Sequence, residues 1–233
     1  MEGTTAMSQN SQRRLLITAG PTHEPIDAVR FVGNRSSGRM GVALADAAAG
    51  LGWRVTLLLG PVAARPLHAG VVVRHFRTCE DLRTLLGEEV SRADALVMAA
   101  AVADYRPRPN AAMSGGKFRR TNAPMTLELE ATPDLLAEVS ANRKPGQFFV
   151  GFALEPKAEL LESARAKLVR KKVDMVVANG LETMDSETVE ATILFADGGR
   201  MDTAGVMSKP EFAVWLMGVI GAAGSGTGLR TED

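Results

Sequence analysis

The sequence is poor in cysteine and carries no excess of charge of either sign. Cys79 is the only cysteine among 233 residues, which excludes an internal disulfide and a thiolate metal cage and fits a reducing compartment. We interpret Cys79 as a buried structural thiol. Lysine plus arginine number 27, and aspartate plus glutamate also number 27, so no global field would attract nucleic acid or an anionic membrane. Any anion site must therefore be local.

Long hydrophobic runs are also missing. No apolar stretch reaches the roughly 18 to 20 residues of a membrane helix, and residues 1–14 lack the apolar segment of a signal peptide. Residues 1–14 are polar and residues 221–233 are rich in glycine, serine, threonine and charge, so we expect two disordered tails. Residues 15–220 suffice for one domain with a sizeable core, since 45% of the chain is hydrophobic.

Apolar runs of strand length alternate with helical patterns, which predicts an α/β fold with a mostly parallel sheet and helices on both faces. We expect strands at residues 15–19, 54–59, 71–76, 95–101, 126–130, 148–153 and 175–178. We expect helices at residues 38–51, 79–91, 133–141, 156–172 and 209–220. Residues 192–195 and 200–206 flank a glycine turn and predict a C-terminal β-hairpin.

Two glycine motifs are incomplete nucleotide signatures. Residues 33–40 have the glycine spacing of a P-loop, but Arg39 and Met40 stand where lysine and a metal-binding hydroxyl are required. A dinucleotide fingerprint needs G-x-G-x-x-G after the first strand and an acidic residue ending the second, and residues 20–22 and 60–61 supply neither. The histidines are scattered, so we predict no dedicated zinc site and assign no metal ligand.

Residues Ser36, Ser37 and Gly38 at a predicted helix start allow two interpretations. Free backbone N–H groups, serine hydroxyls and the helix dipole would together make an anion site. A plain N-cap by Ser36 or Ser37 explains the same residues.

Charged residues surround a segment that we predict to be a mobile flap. Residues 107–120 contain prolines and glycines among basic residues and show no periodicity. Asp104 and Lys117 bracket this flap, and Lys117 either closes over a triphosphate or is a solvated charge. Lys167 and Lys171 share a helix face, where they either meet an anion or stabilise the helix dipole.

Several segments together resemble the phosphopantothenate-cysteine ligase family. The resemblance begins at residues 17–27 (ITAGPTHEPID) and covers residues 15 to about 210 in family order. It continues through residues 29–31 (VRF), 34–41 (NRSSGRMG), 100–106 (AAVADYR), 117–120 (KFRR), 132–136 (TPDLL), 150–153 (VGFA) and 177–179 (VAN).

The resemblance implies a Rossmann-like fold whose C-terminal hairpin is used in dimerisation. It implies a cytoplasmic homodimer that activates 4'-phosphopantothenate with CTP and Mg²⁺ to an acyl-cytidylate, then couples it to cysteine in coenzyme A synthesis. In many bacteria this ligase is fused behind a flavin-dependent decarboxylase. We expect a stand-alone ligase here, with a separate decarboxylase acting next and with neither nucleic acid nor a membrane as partner.

The resemblance also implies the site residues. Nucleotide-binding positions would be Met98, Ala99, Ala100, Asp104, Lys117, Pro133, Asp134, Leu135, Leu136, Phe152, Lys167 and Lys171. Phosphopantothenate-binding positions would be Arg30, Asn34, Ser36, Ser37, Gly38 and Ala101. Asn34 and Lys117 would be catalytic. The Asn34 amide would donate to the acyl oxygen as charge grows there.

Some residues depart from the family pattern, and two other functions stay open. Arg39 replaces the usual lysine, Gly33 stands where serine is common, and residues 154–156 read Leu-Glu-Pro instead of Ala-Glu-Thr. These departures affect the choice of nucleotide most, so ATP remains an alternative to CTP. A nicotinamide-dependent reductase is one alternative function, because residues 37–41 also occur in some reductases. A non-enzymatic nucleotide sensor is the other.

Overall fold

The computed structural model describes residues 12–108, 122, 124–184 and 186–224, and within them one eight-stranded sheet is flanked by five helices. In chain order the first half contains β1 (Arg14–Ala19), β2 (His23–Pro25), β3 (Phe31–Gly33), α1 (Arg39–Gly50), β4 (Arg54–Leu59), β5 (Val72–His75), α2 (Cys79–Glu89), β6 (Ala95–Met98) and β7 (Tyr105–Pro107). The second half contains β8 (Leu129–Ala131), α3 (Leu135–Ala141), β9 (Phe148–Glu155), α4 (Leu160–Lys171), β10 (Met175–Gly180), β11 (Thr188–Val189), β12 (Ala191–Phe195), β13 (Arg200–Asp202), β14 (Met207–Ser208) and α5 (Lys209–Ala223).

The central sheet has the strand order β13-β12-β10-β9-β6-β1-β4-β5. Neighbouring strands from β10 to β5 are parallel, whereas β12 and β13 are antiparallel and extend one edge. This arrangement confirms the predicted Rossmann-like α/β class. The predicted C-terminal hairpin exists as β12 and β13, and it continues the main sheet.

Helices cover both faces of the sheet, as predicted. On one face α1 and α5 pack on the sheet through residues such as Leu44, Ala45 and Phe212, which are all fully buried. On the other face α2, α3 and α4 pack on Phe149 and its neighbours. Fully burying a side chain of this kind contributes about 1.5–3 kcal/mol, so the two apolar layers hold the strand ends in fixed positions.

The long loop predicted between β1 and α1 is partly ordered as a hairpin. Strands β2 and β3 pair antiparallel inside residues 20–37, and the ring of His23 stacks on that of Phe31 with centroids 3.7 Å apart. These strands have three residues each, too few for an alternating pattern to be recognised in the sequence. Similarly, β7 and β8 pair on either side of the predicted flap.

The start of α1 differs from the prediction. Gly38 is the N-cap residue, with a left-handed φ of 71°, and among the described residues no side chain accepts a hydrogen bond at this cap. The interpretation of Ser36 or Ser37 as the N-cap is therefore wrong. A Cβ atom at Gly38 would lie 2.9 Å from Cγ2 of Val62, so only glycine fits this close approach without a shift.

Successive strands are added first on one side of β1 and then on its other side, so the strand order switches between β1 and β6. From β1 the chain proceeds through α1 to β4 and β5 on one side, and then returns to β6 on the other side of β1. Such a switch leaves a crevice at the carboxyl ends of the two strands, where ligands of open α/β sheets bind. Among the described helices, none combines the length and apolarity needed to cross a membrane.

Candidate active site

The crevice between β1 and β6 is lined by the segments that follow these two strands. Residues Pro21 and Ala101 form a parallel bridge. The Thr22 N–H donates to the Ala101 carbonyl at 3.2 Å, and the Ala101 N–H donates to the Gly20 carbonyl at 2.9 Å. Gly20 has a φ of 82°, which lets the chain turn sharply after β1. The two segments therefore run side by side beyond the sheet.

Two buried threonines attach residues 99–104, which follow β6 and are called the β6 segment here, to β1 and its loop. The Thr18 hydroxyl accepts from the Ala100 N–H at 3.1 Å, and the Thr22 hydroxyl accepts from the Ala103 N–H at 3.0 Å. Both threonines are fully buried. Thr22 lies within the motif at residues 17–27, but the motif alone predicts no role for it. The available signal was a hydroxyl residue just beyond a buried strand, where a polar side chain requires a partner.

Asn34 lies on the same crevice and contacts the β6 segment from the other side. Its Nδ2 donates to the Val102 carbonyl at 3.0 Å. A side-chain amide has two N–H donors and one carbonyl acceptor, so this bond uses one donor and fixes the orientation of the group. Asn34 therefore lies beside Val102, and its role at the acyl group stays a prediction.

Arg30 is oriented by Asp27 within the β2–β3 hairpin. The guanidinium Nε donates to Asp27 Oδ2 at 2.9 Å, and Nη2 also contacts this oxygen. The other oxygen of Asp27 accepts from the Val29 and Arg30 N–H groups at 2.9 and 2.7 Å. The Asp27 side chain is buried, whereas that of Arg30 is 42% exposed. The hairpin thus presents an ordered cation at the surface.

Two partly buried lysines of α4 form the basic side of the crevice. Lys171 makes an ion pair with Asp134, and Lys167 donates to the Phe152 carbonyl of β9. Burial lowers the pKa of Lys167, an effect that the charges of Glu155 and Asp104 oppose and that of Arg170 reinforces. Burial also lowers the pKa of Lys171, again opposed by Asp104. A binding anion would relieve both desolvation penalties.

Residues 132–136, which follow β8, pack next to the two lysines of α4. Asp134 is the N-cap of α3 and accepts from the Ala137 N–H at 3.2 Å. Leu135 and Leu136 are buried in the core, so their side chains brace the segment. Pro133 precedes them and is partly exposed. The Thr132 N–H donates to the Asp104 carbonyl at 2.9 Å, which joins this segment to the β6 segment.

Most of the predicted nucleotide positions therefore share one edge of the sheet. Met98 is buried at the end of β6, Ala99 and Ala100 follow it, and Asp104 is exposed beyond them. Lys117 and most of the predicted flap lie outside the described residues.

The α1 end of the crevice carries the predicted anion-binding residues. Ser36 and Ser37 are partly exposed and Gly38 is buried. Arg39, which replaces the usual lysine of the family, pairs with Glu187 in the segment before β11. The arginine charge at this position is thus directed to a neighbouring carboxylate of the same chain.

Within the part of the chain that the structure describes, no group of three or more histidine, cysteine, aspartate or glutamate side chains is arranged to hold a metal ion. Asp134 pairs with Lys171, and the charges of Glu155 and Asp104 both act on Lys167. Mg²⁺ commonly uses one or two protein carboxylates together with substrate phosphates. These residues fit that mode of binding.

The fold and this crevice define a Rossmann-like α/β protein with a polar site at the switch point of its sheet. The chain belongs to the family described as the DNA/pantothenate metabolism flavoprotein C-terminal domain, whose model matches residues 10–222. This match confirms the family relationship expected from the motifs.

Curated relatives extend this comparison. The chain is 41% identical over 198 residues to the coenzyme A biosynthesis bifunctional protein CoaBC of Mycobacterium tuberculosis, covering 80% of this chain and 47% of that protein. It is 45% identical over 170 residues to a cysteine/cysteine sulfinic acid decarboxylase of an unknown prokaryotic organism, covering 73% of this chain and 46% of that protein. The chain thus spans about half the length of the curated relatives it matches.

A solved structure has the same fold. The C-terminal domain of a coenzyme A biosynthesis bifunctional protein CoaBC superposes with a TM-score of 0.73 at 32% identity. The match covers 89% of this chain and 93% of that one. The chain therefore corresponds to the C-terminal part of the longer CoaBC relatives.

Proposed function

We propose that the protein is a phosphopantothenate-cysteine ligase of coenzyme A synthesis that uses CTP. The observation that carries this proposal is the meeting of two sets of groups at one crevice. Lys167, Lys171 and Asp104 lie on its basic side, and Asn34 lies across the β6 segment. The similarity to CoaBC supports the same reaction.

In the first step the carboxylate of phosphopantothenate attacks the α-phosphate of CTP, and pyrophosphate leaves. Lys167 and Lys171 are suited to neutralise the triphosphate because their ammonium groups are partly withdrawn from water and held near the ends of β9 and α4. Electrostatic interactions between charges are stronger in such a site than in bulk water. We assign Lys117 to the same task on the leaving pyrophosphate.

In the second step the amine of cysteine attacks the acyl carbon, and CMP leaves with the electrons of the acyl-phosphate bond. The Asn34 amide keeps one N–H donor beyond the bond that it makes to Val102. That donor is suited to stabilise the oxygen on which negative charge develops. Arg30 at the surface of the hairpin, with Ser36, Ser37 and Gly38 at the start of α1, is assigned to phosphopantothenate.

The backbone after β6 favours a base that carries an amino group. The N–H groups of Ala99, Ala100 and Ala101 donate to Thr18 or Gly20 at 3.2, 3.1 and 2.9 Å. The Ala101 carbonyl accepts from the Thr22 N–H, so we assign the carbonyl oxygens of Ala99 and Ala100 to the base. Cytosine presents an amino donor at the position where uracil presents an oxygen acceptor, so CTP should be accepted and UTP rejected. Adenine also presents an amino group, and ATP is the competitor to test.

The decisive experiment measures pyrophosphate release before cysteine is added. Phosphopantothenate is mixed with Mg²⁺ and with CTP, ATP or UTP in turn, and release with CTP is expected to exceed release with UTP by at least about tenfold. Release that does not depend on phosphopantothenate would contradict the ligase. Mg²⁺ would reach the site with the triphosphate, near Asp104 and Asp134, and would neutralise phosphate charge.

The similarity to a cysteine/cysteine sulfinic acid decarboxylase makes decarboxylation the second candidate. Release of CO₂ from cysteine or cysteine sulfinate would favour it.

The reductase is tested by titration with NADPH. Gly60 follows β4, and a Cβ atom there would lie 2.3 Å from the Pro21 carbonyl oxygen, which disfavours the acidic side chain that a nicotinamide site requires at this point. Binding of CTP without pyrophosphate release would favour the nucleotide sensor.

We propose further that the protein is a cytoplasmic homodimer and that β13 contributes to the dimer. Strand β13 is the outer strand of the sheet and pairs only with β12 among the described strands. An open strand edge can pair with a second copy. Sedimentation of the wild type and of an Arg200→Pro variant tests this. The ladder bonds between β12 and β13 involve residues 199 and 203, and in this alternation the Arg200 N–H faces the open edge, where proline removes a donor. The product of the proposed reaction keeps the carboxylate of cysteine, and a separate decarboxylase would act on it next.

A further inference from the structure

The peptide group between Val102 and Ala103 is held from both of its sides. The Val102 carbonyl accepts from Asn34 Nδ2 at 3.0 Å. The Ala103 N–H donates to the Thr22 hydroxyl, also at 3.0 Å. Because the peptide is planar, its carbonyl and its N–H point in opposite directions and turn together. The contact that Thr22 makes with the N–H therefore determines where the carbonyl points.

Thr22 is itself fixed in this position. Its side chain is fully buried, and its own N–H donates to the Ala101 carbonyl at 3.2 Å. Its main chain and its hydroxyl thus hold two successive parts of the same segment. A hydroxyl in this setting has little freedom to move away from the Ala103 N–H.

The next two peptide groups are each held at their carbonyl by Thr132. The Thr132 hydroxyl donates to the Ala103 carbonyl at 2.6 Å, and the Thr132 N–H donates to the Asp104 carbonyl at 2.9 Å. The orientation of residues 102–104 is therefore set by threonines of two other segments. Thr132 lies on the Asp104 side, and Thr22 lies on the Asn34 side.

We propose that Thr22 is a positioning residue for the transfer of the acyl group to cysteine, a role that rests on the proposed ligase function. By holding the Ala103 N–H, Thr22 aims the Val102 carbonyl at Asn34. The carbonyl in turn orients the Asn34 amide so that its second N–H faces the acyl oxygen. Thr22 does not touch the substrate, and it acts through the peptide and Asn34.

The test replaces Thr22 by valine, which has nearly the same shape but no acceptor, and by serine, which keeps the hydroxyl. Rapid quench of the purified full chain measures acyl-cytidylate formation and its transfer to cysteine separately. In Thr22→Val, transfer should slow by about tenfold or more, since small misplacements of a catalytic group have large effects. Cytidylate formation should stay within about threefold of wild type, and Thr22→Ser should recover most of the transfer rate.

Thr203 offers a matched control. Its hydroxyl accepts from the Ala191 N–H at 3.2 Å, and it is also buried, but it lies in the β12–β13 region. Thr203→Val should leave both steps unchanged. In an Asn34→Ala background, Thr22→Val should slow transfer no further, because the group that it positions is gone.

Two results would overturn the role of Thr22. One is transfer at the wild-type rate in Thr22→Val, and the other is an equal slowing of both steps. If Thr22→Val fails to fold, hydrogen exchange of the Ala103 amide in wild type and in Thr22→Ser still decides, because an unprotected amide in wild type contradicts the proposal. Wild type that makes no cytidylate would instead overturn the ligase function itself.

Discussion

Lys171 of α4 forms an ion pair with Asp134, the residue that caps α3. The lysine side chain is 11% exposed, whereas that of the aspartate is 44% exposed. The cation is thus the more buried partner, and the carboxylate is the partner nearer to solvent. An incoming triphosphate could take the place of the carboxylate on the same ammonium group.

Replacing Lys171 by methionine is expected to raise the KM for CTP by about tenfold to a hundredfold. A hydrogen bond to a charged group typically contributes about 1.5–3 kcal/mol, and each 1.4 kcal/mol corresponds to about a tenfold change. Initial rates of pyrophosphate release measure the effect. Lys144→Met is the control, because Lys144 donates to the Ser91 carbonyl at the opposite end of the sheet. An unchanged KM in Lys171→Met would remove this lysine from the site.

As the pH rises, nucleotide binding should begin to weaken at a lower pH than it would if Lys167 had the pKa of an ordinary lysine. Burial lowers the pKa of Lys167 from its ordinary value of 10.5, and only the charged form attracts phosphate. Affinity should therefore be constant below the lowered pKa and fall as the pH rises through it. Isothermal titration against pH tests this, and Lys167→Arg should shift the loss to higher pH because arginine stays charged. Coinciding pH profiles of the two proteins would contradict the assignment.

The same lysine should make stability depend on pH in the protein without nucleotide. Between the lowered folded pKa and 10.5 the unfolded chain binds more protons, so the free energy of unfolding should increase with pH over this window. Urea denaturation of wild type and Lys167→Met measures the difference, which isolates Lys167 from other lysines. Wild type should gain relative to the variant as the pH rises. A constant difference would show that the pKa of Lys167 is not lowered by folding.

Asn34→Asp is expected to separate the two half-reactions. The variant should form the acyl-cytidylate but transfer it to cysteine about 10²- to 10³-fold more slowly, because a carboxylate repels the developing oxyanion and one donor is lost. Mass spectrometry of a quenched reaction should show the intermediate accumulating. Asn142→Asp is the control, since Asn142 Nδ2 donates to a carbonyl in α3. The assignment fails if the variant makes no cytidylate or converts it at the wild-type rate.

Lys117→Gln should depress the first step more than the second. The proposed partner of Lys117 is the leaving pyrophosphate, whose charge grows as the first step proceeds. Burst measurements of pyrophosphate compare the variant with Lys144→Gln. A burst of the same rate and size in both proteins would exclude this role.

Cys79→Ser should retain turnover. Burial raises the pKa of the Cys79 thiol to about 11, and the nearby Glu24 carboxylate adds to this rise. The Cys79 side chain is fully buried, and its N–H donates to Glu24 at 2.8 Å. Wild type should therefore react slowly with thiol reagents at neutral pH. A loss of turnover beyond about tenfold without unfolding would indicate an intermediate attached to the enzyme.

Several features of the fold could be predicted from local sequence patterns. The strands at β1, β4, β6, β9 and β10 are short apolar runs, and these runs are recognisable because parallel strands are buried on both faces. The buried run of β1 illustrates this, since five of its six residues are buried. The position of Asp104 after a buried strand likewise indicated the end of the sheet where ligands bind.

The sequence by itself determined the order of the five helices and of the buried strands β1, β4, β6, β9 and β10, because those follow from periodicities within a few residues. The contacts that shape the site required the tertiary structure. Asn34 and Val102 are 68 residues apart, and Thr22 and Ala103 are 81 residues apart. These pairs meet only because β1 and β6 are neighbours in the sheet. The N-cap of α1 also depended on the tertiary structure, since a Cβ atom at Gly38 would lie 2.9 Å from Cγ2 of Val62.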